Sequence, residues 1–106
     1  MNINKVFPSR FLKAADLKGR RVTVTIERVV MEEVGRDRDE KPICYFKELA
    51  KGLPLNKINT RTIAEIADSE ETDEWPGTKI TLFSTKVDFG GERVDAIRVE
   101  RPAEPD

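Results

Sequence analysis

The chain has 106 residues, of which 38% are hydrophobic and 37% charged, and its formal net charge is −1. This length gives one domain with a modest core and leaves no room for a second. Cys44 is the single cysteine, and neither a leader segment nor an apolar run of about eighteen residues is present, so we expect a soluble protein of the reducing cytoplasm, with no disulfide and no membrane span.

Residues 1–18 are predicted to be a lead-in that packs on the rest of the domain. Ser9 is placed to cap a short turn over residues 12–15, and Phe7, Phe11 and Leu12 are expected to cover one end of the core.

The first strand shows a period-two pattern, in which Val22, Val24 and Ile26 alternate with polar residues. At residues 28–31 the apolar positions slip from even to odd. Such a slip would turn the apolar side towards solvent unless an extra residue absorbs it. The pattern therefore predicts a bulge between Glu27 and Val30.

The second and third strands are short. The polar residues 35–41 predict a mobile loop, followed by a strand over residues 43–47 and a hairpin turn at residues 50–52. The third strand is predicted at residues 53–55, where Pro54 lacks an amide donor and favours a sheet edge.

One helix is predicted after the third strand. Asn59 or Thr60 opens it, Thr62 and Glu65 fit a capping-box pair, and apolar residues recur at helical spacing over residues 63–67. The acidic residues 68–74 end it, because negative charge opposes the helix dipole there. A fourth strand follows, with Ile80 and Leu82 on one face, and then a turn at residues 88–91. The chain is predicted to end with a fifth strand over residues 94–99 and a disordered tail at residues 102–106.

Three strands, one helix and two strands in this order are the arrangement of a small five-stranded OB-like Greek-key barrel. We therefore predict a mainly β fold, with the helix between strands 3 and 4 and a single OB-like domain over residues 1–101.

No motif points to catalysis. Histidine is absent, Cys44 lacks a histidine partner, and the acidic residues 68–74 lack the spacing of a calcium loop. Phe89-Gly90-Gly91 lacks the lysine and the following helix of a phosphate cradle. We predict a binding protein that is not an enzyme and that has no metal and no cofactor.

OB barrels bind single strands through aromatic faces and a basic groove. Charge along the chain is polarised, since residues 51–62 hold three basic and no acidic side chains whereas residues 63–76 hold six acidic and no basic ones. The stacking candidates are Tyr45, Phe83 and Phe89, the basic candidates are Lys47, Lys51, Lys57, Arg93 and Arg98, and the loop-rim candidates are Arg36 and Arg38.

Each candidate has a structural alternative. The aromatic rings can serve as packing, as we expect for Phe46 and Trp75, and lysine and arginine are mostly solvated surface residues. A further candidate is a phosphate site at the helix N-terminus, where residues 56–61 provide backbone amides and cationic side chains. Its alternative is that the Asn and Thr side chains there act only as helix caps.

Several phrases of the sequence resemble a family of small phage and prophage proteins. They are Phe11-Leu12-Lys13-Ala14 with Asp16-Leu17, Lys51-Gly52-Leu53-Pro54-Leu55-Asn56-Lys57 with Asn59, Trp75-Pro76-Gly77, Ile80-Thr81-Leu82-Phe83, Phe89-Gly90-Gly91 and Ala96-Ile97-Arg98-Val99. The resemblance implies a phage-encoded OB-like protein of a bacterial host cell that assists DNA replication or recombination.

Two functions are therefore expected. The first is binding of single-stranded DNA as an accessory protein, where a weak homodimer would offset the small charge. The alternative is a protein-interaction module that binds a phage or host replication or recombination protein, through the edge near Leu53 or the acidic residues 68–74.

Overall fold

The computed structural model describes residues 11–34 and 39–103. Its strands are β1 (Val22–Val34), β2 (Asp39–Phe46), β3 (Leu53–Pro54), β4 (Lys79–Phe89) and β5 (Glu92–Glu100), its α-helix is α1 (Lys57–Ala67), and two 3-10 turns span Ala14–Leu17 and Thr72–Glu74. The five strands form one antiparallel sheet in the order β3-β2-β1-β4-β5. The prediction of a mainly β fold with one helix between strands 3 and 4 is confirmed. The sheet is not closed into a barrel, because no pairing joins the edges β3 and β5 among the described residues.

The first strand is shared by two halves of the sheet. Residues 22–25 of β1 pair with β4, and residues 26–34 pair with β2. The register shifts between Ile26 and Arg28, so Glu27 is the extra residue, at the start of the range predicted for the bulge. The bulge keeps Val24, Ile26 and Val29 on the same side of the sheet.

We call this the core side, and the opposite side the outer side. On the core side β1 and β4 contribute Val24, Ile80 and Leu82, each with no exposed surface. Helix α1 packs there through Ile63 and the first 3-10 turn through Leu17. Phe46 and Trp75 are buried in the same cluster, which confirms both as core residues.

The predicted loop ends too late, at residue 41, and the predicted second strand begins too late, at residue 43. Strand β2 begins at Asp39, because β1 extends to Val34 and the ladder continues through the pair Val34 and Asp39. Residues 39–41 are therefore strand, whereas residues 35–38 of the predicted loop lie outside the described residues.

Phe7 and Ser9 of the predicted lead-in also lie outside the described residues. The first turn covers Ala14–Leu17, where we had predicted residues 12–15.

Helix α1 begins earlier than predicted. Asn56 is its N-cap, and the Asn59 backbone N–H donates to Asn56 Oδ1 at 2.8 Å. The predicted capping box is wrong, because the Thr62 hydroxyl donates to the Ile58 carbonyl inside the helix. The helix ends at Ala67, immediately before the acidic residues, as predicted.

The second hairpin is longer than predicted. Phe89 pairs with Glu92, so the turn consists of Gly90 and Gly91 alone, both with positive φ, as a two-residue hairpin turn requires. Strand β5 consequently starts at Glu92, two residues earlier than predicted. Residues 104–106 of the predicted tail lie outside the described residues.

Glu48 ties the end of β2 to β1 near the bulge. Its carboxylate accepts hydrogen bonds from the Thr25 backbone N–H at 2.7 Å and from the Thr25 hydroxyl at 2.8 Å. These two hydrogen bonds, of which the backbone one has the larger effect, hold the pKa of Glu48 below its ordinary value of 4.5.

This contact predicts an acid-sensitive stability. A carboxylate whose folded pKa is lowered stabilises the fold above its unfolded pKa, and this contribution disappears as the pH falls through the folded pKa. We expect Glu48→Gln to lower the free energy of unfolding at neutral pH and to flatten its decline below pH 4.5. Urea titrations from neutral pH to about pH 3 test this. Glu70→Gln, at an exposed acidic position, is the control, and equal curves for the two variants would contradict the role of Glu48.

Candidate functional site

Tyr45 lies on the outer side of β2 in a cluster that satisfies its polar groups. The Arg28 guanidinium covers its ring, 4.4 Å from the ring centroid, and its hydroxyl donates to the Glu32 carboxylate. Arg28 in turn binds Glu27. Arg28 is thus compensated by Glu27 and the Tyr45 hydroxyl by Glu32, and the arrangement is that of a structural cluster.

The lysine candidates are dispersed. Lys51 Nζ lies 3.3 Å from Asp16 Oδ1. The pKa of Asp16 is lowered, mainly by the hydrogen bond from the Lys13 backbone N–H and further by Lys51. Lys47 is exposed after β2, and Lys57 is exposed at the first position of α1. These side chains come from three different segments of the chain. Arg36 and Arg38 lie outside the described residues.

Phe83 and Arg98 are brought together by the sheet. They are direct cross-strand partners on β4 and β5, and both side chains are half-buried. The guanidinium of Arg21 lies over the Phe83 ring, 5.1 Å from its centroid, and Arg21 Nε donates to Glu100 Oε1 at 2.7 Å. One guanidinium therefore lies over the Phe83 ring, and a second arginine, Arg98, is the cross-strand neighbour of Phe83.

Threonines extend this site across β1 and β4. The hydroxyls of Thr23 and Thr81 lie 2.8 Å apart, and these residues pair directly across the two strands. Lys79, the first residue of β4, is exposed and pairs with Thr25. We call this outer surface of β1, β4 and β5 the platform, and define it by Arg21, Thr23, Thr25, Lys79, Thr81, Phe83 and Arg98.

Arg98 is the exceptional group of the platform. Its side chain has no hydrogen bond or ion pair among the described residues, and its Nη1 atom is buried without a partner. A guanidinium removed from water without an acceptor is unfavourable, and charge-assisted hydrogen bonds to a carboxylate or phosphate are what this group forms most strongly. Arg98 is thus suited to bind an anion beside an aromatic ring.

Two remaining candidates lie near the end of the second hairpin. Phe89 is 77% exposed and lies on the same side of β4 as Phe83, six residues further on. At about 3.3 Å per residue, this separates the two residues by about 20 Å along the strand. Arg93 is five residues before Arg98 in β5, so it lies on the opposite side, where it pairs with Asp88.

Sequence analysis missed five residues of the platform, namely Arg21, Thr23, Thr25, Lys79 and Thr81. The signal was present in the alternation of β1 and β4, because Arg21, Thr23 and Thr25 occupy one face and Thr81, Phe83 and Thr85 another. Only the pairing of the two strands shows that these faces are one surface.

The described residues do not form a metal site, a reactive thiol or a free helix N-terminus. Among the described residues there is no cluster of three or more His, Cys, Asp or Glu residues able to hold a metal ion. Cys44 is fully buried, and desolvation raises the pKa of its thiol to about 12. At the start of α1, Asn56 Oδ1 is used as a cap.

The described part of the chain contains no helix with the length and apolar character needed to cross a membrane. The described residues form a mainly antiparallel β protein whose platform carries one phenylalanine and two arginines. Comparisons with protein-family models, curated proteins and solved structures give no match to this chain.

Proposed function

We propose that the protein is an OB-like single-stranded DNA-binding accessory protein that binds the strand across the platform. Phe83, with Arg21 over one face of its ring, provides a stacking surface for a base, and Arg98 provides the contact to a phosphate. The resemblance to phage proteins suggests a role in phage DNA replication or recombination.

The strand order supports an OB-like barrel. Strand β1 pairs with both β2 and β4, and the unpaired edges β3 and β5 line one common cavity. If β3 and β5 were joined there, the order would become that of a closed five-stranded Greek-key barrel, and OB-folds are commonly partly open.

The observation that carries the proposed function is the half-buried Arg98 without an acceptor. Arg28 on the other half of the sheet binds Glu27, and Arg21 binds Glu100, so both are already compensated. Arg98 has no such partner among the described residues. A nucleic-acid phosphate would supply the missing acceptor.

We expect Arg98→Gln to weaken binding of a fluorescent single-stranded DNA of about twenty bases by about tenfold, because one charge-assisted hydrogen bond is lost. We also expect the slope of log affinity against log salt concentration to fall by about 0.7, the contribution of one phosphate contact on a single strand. Fluorescence anisotropy at low and moderate salt measures both quantities.

Arg93→Gln is the matched control. It removes the same charge from the same strand, but on the opposite side and in an exposed pair with Asp88. Equal effects of the two variants would show that general charge, and not the platform, determines affinity. An unchanged affinity of Arg98→Gln would refute the phosphate contact.

A protein partner is the second candidate, and the exposed apolar side chains of the second hairpin favour it. Phe89 is 77% exposed and Val94 37% exposed, both on the outer side. Exposed apolar groups of this kind often mark protein contacts. Absence of DNA binding at low salt would make this candidate the better one.

A further inference from the structure

A cavity of about 330 Å³ lies between the two edges of the sheet. Its walls come from Leu53 and Pro54 of β3, from residues 95–97 of β5, from Leu12 and from Asn59 of α1. We call it the seam cavity. Its volume falls within the range of about 300–1,000 Å³ that small-molecule sites occupy.

Asn59 is an almost fully buried amide with one unused atom. It is 2% exposed, and its Nδ2 donates to the Ile97 carbonyl at 3.0 Å. Its Oδ1 has no hydrogen-bond partner among the described residues. A carbonyl only accepts, so this bond fixes the orientation of the Asn59 amide. The amide thus presents an acceptor that lacks a donor.

We propose that the seam cavity binds one nucleobase of the single strand, with a base N–H donating to Asn59 Oδ1. The choice of a nucleobase among N–H-bearing heterocycles rests on the proposed function. Leu12, Leu53 and Ile97 give the cavity the apolar surface that the faces of a planar ring require.

The position of the cavity fits a strand that crosses the platform. Ala96 lines the cavity, and it lies two residues before Arg98 on the same side of β5. This spacing corresponds to about 7 Å, close to the separation of successive phosphates in an extended strand. A chain held by Arg98 therefore reaches the cavity with the next nucleotide.

A peptide strand is a less suitable occupant. A strand added to the β5 edge needs the carbonyls of that edge as acceptors. The Ile97 carbonyl already accepts a hydrogen bond from the Asn59 side chain, so the row of free carbonyls is interrupted at one end of the β5 wall of the cavity. A compact ligand requires no such row.

The test uses uncharged nucleosides, which lack a phosphate and so do not depend on Arg98. Each of the four deoxynucleosides is titrated into the ¹⁵N-labelled wild-type protein, and the Asn59 side-chain amide signals are followed by NMR. We expect at least one nucleoside to shift these signals. Its counterpart with the base N–H groups methylated should bind about tenfold more weakly, because the donor to Oδ1 is lost.

Two matched variants test the location. Ala14 lines the cavity, whereas its neighbour Ala15 is exposed and does not. We expect Ala14→Leu to narrow the cavity and reduce nucleoside affinity at least tenfold, and Ala15→Leu to bind as the wild type does. Circular dichroism verifies that both variants fold, and the methylated nucleoside tests the same contact in unaltered protein.

The outcomes separate this proposal from the proposed function. Salt-dependent oligonucleotide binding without any nucleoside-induced shift at Asn59 would overturn the pocket and leave the platform intact. Nucleoside binding without salt-dependent oligonucleotide binding would support the pocket and refute the platform. Equal affinity for a nucleoside and its methylated counterpart would also overturn the base assignment.

Discussion

Trp75→Ala is expected to lower the free energy of unfolding by about 3–5 kcal/mol, the range typical of large aromatic side chains removed from a core. Trp75 is 1% exposed, and its indole Nε1 donates to the Ser69 carbonyl at 2.9 Å. The substitution leaves a cavity and also releases the acidic segment that follows α1. Urea unfolding followed by circular dichroism measures the effect, because Trp75 is the only tryptophan and its fluorescence is lost with it.

Phe89→Ala is the control for Trp75. It also removes an aromatic ring, but from a position that is 77% exposed, so we expect a change within about 0.5 kcal/mol. Trp75→Phe keeps much of the buried ring while removing the N–H donor, and should lie between the two. If Trp75→Ala costs no more than Phe89→Ala, the core described above is incorrect.

Gly52→Ala is expected to destabilise the protein by about 1–3 kcal/mol, because it overpacks a filled site. A Cβ at Gly52 would lie 2.6 Å from Ile43 Cγ2 and 2.8 Å from Tyr45 Cε1. Real Cβ atoms do not approach other atoms this closely, so both the buried Ile43 side chain and the Tyr45 ring must move. Urea unfolding measures the cost, and the ring signals of Tyr45, the single tyrosine, report its displacement by NMR.

The steric origin of this cost can be isolated by a double-mutant cycle. An Ile43→Ala background removes the shorter of the two contacts and leaves only the Tyr45 ring to move, so the two costs should not add, and the coupling should be about 0.5–3 kcal/mol. Gly19→Ala is a second comparison, because Gly19 has a φ of +72° and no atom within 4 Å of an added Cβ. Full additivity of Ile43→Ala and Gly52→Ala would contradict the packing described here.

The two arginine–aromatic pairs of the sheet differ in what surrounds them. Around Tyr45 the acids Glu27 and Glu32 bind Arg28 and the tyrosine hydroxyl. Around Phe83 a single acid, Glu100, binds Arg21, and Arg98 stays without an acceptor. An additional anion is therefore accommodated more favourably at Phe83 than at Tyr45. For this reason the proposed interface centres on β4 and β5.

Local patterns in the sequence predicted much of the fold. The alternation at Val22, Val24 and Ile26 and its later slip indicated both a strand and its bulge, because side chains alternate strictly along a strand. Gly90 and Gly91 marked the second hairpin, since both positions need positive φ. The helix start was misplaced because Asn56, Asn59 and Thr60 are all suitable caps. Asn59 is instead required inside the fold, where it binds the Ile97 carbonyl.

Residue type and short-range periodicity were sufficient to predict the order of the five strands and the helix and the burial of Trp75, and the sequence alone shows the absence of histidine. Which of the candidate residues lie next to one another depends on strand pairing. Phe83 and Arg98 become neighbours through the β4–β5 register, and Arg21 joins them through the pairing of β1 with β4. Strand register and the burial of single atoms such as Arg98 Nη1 and Asn59 Oδ1 arise from contacts between distant segments, which no local pattern encodes.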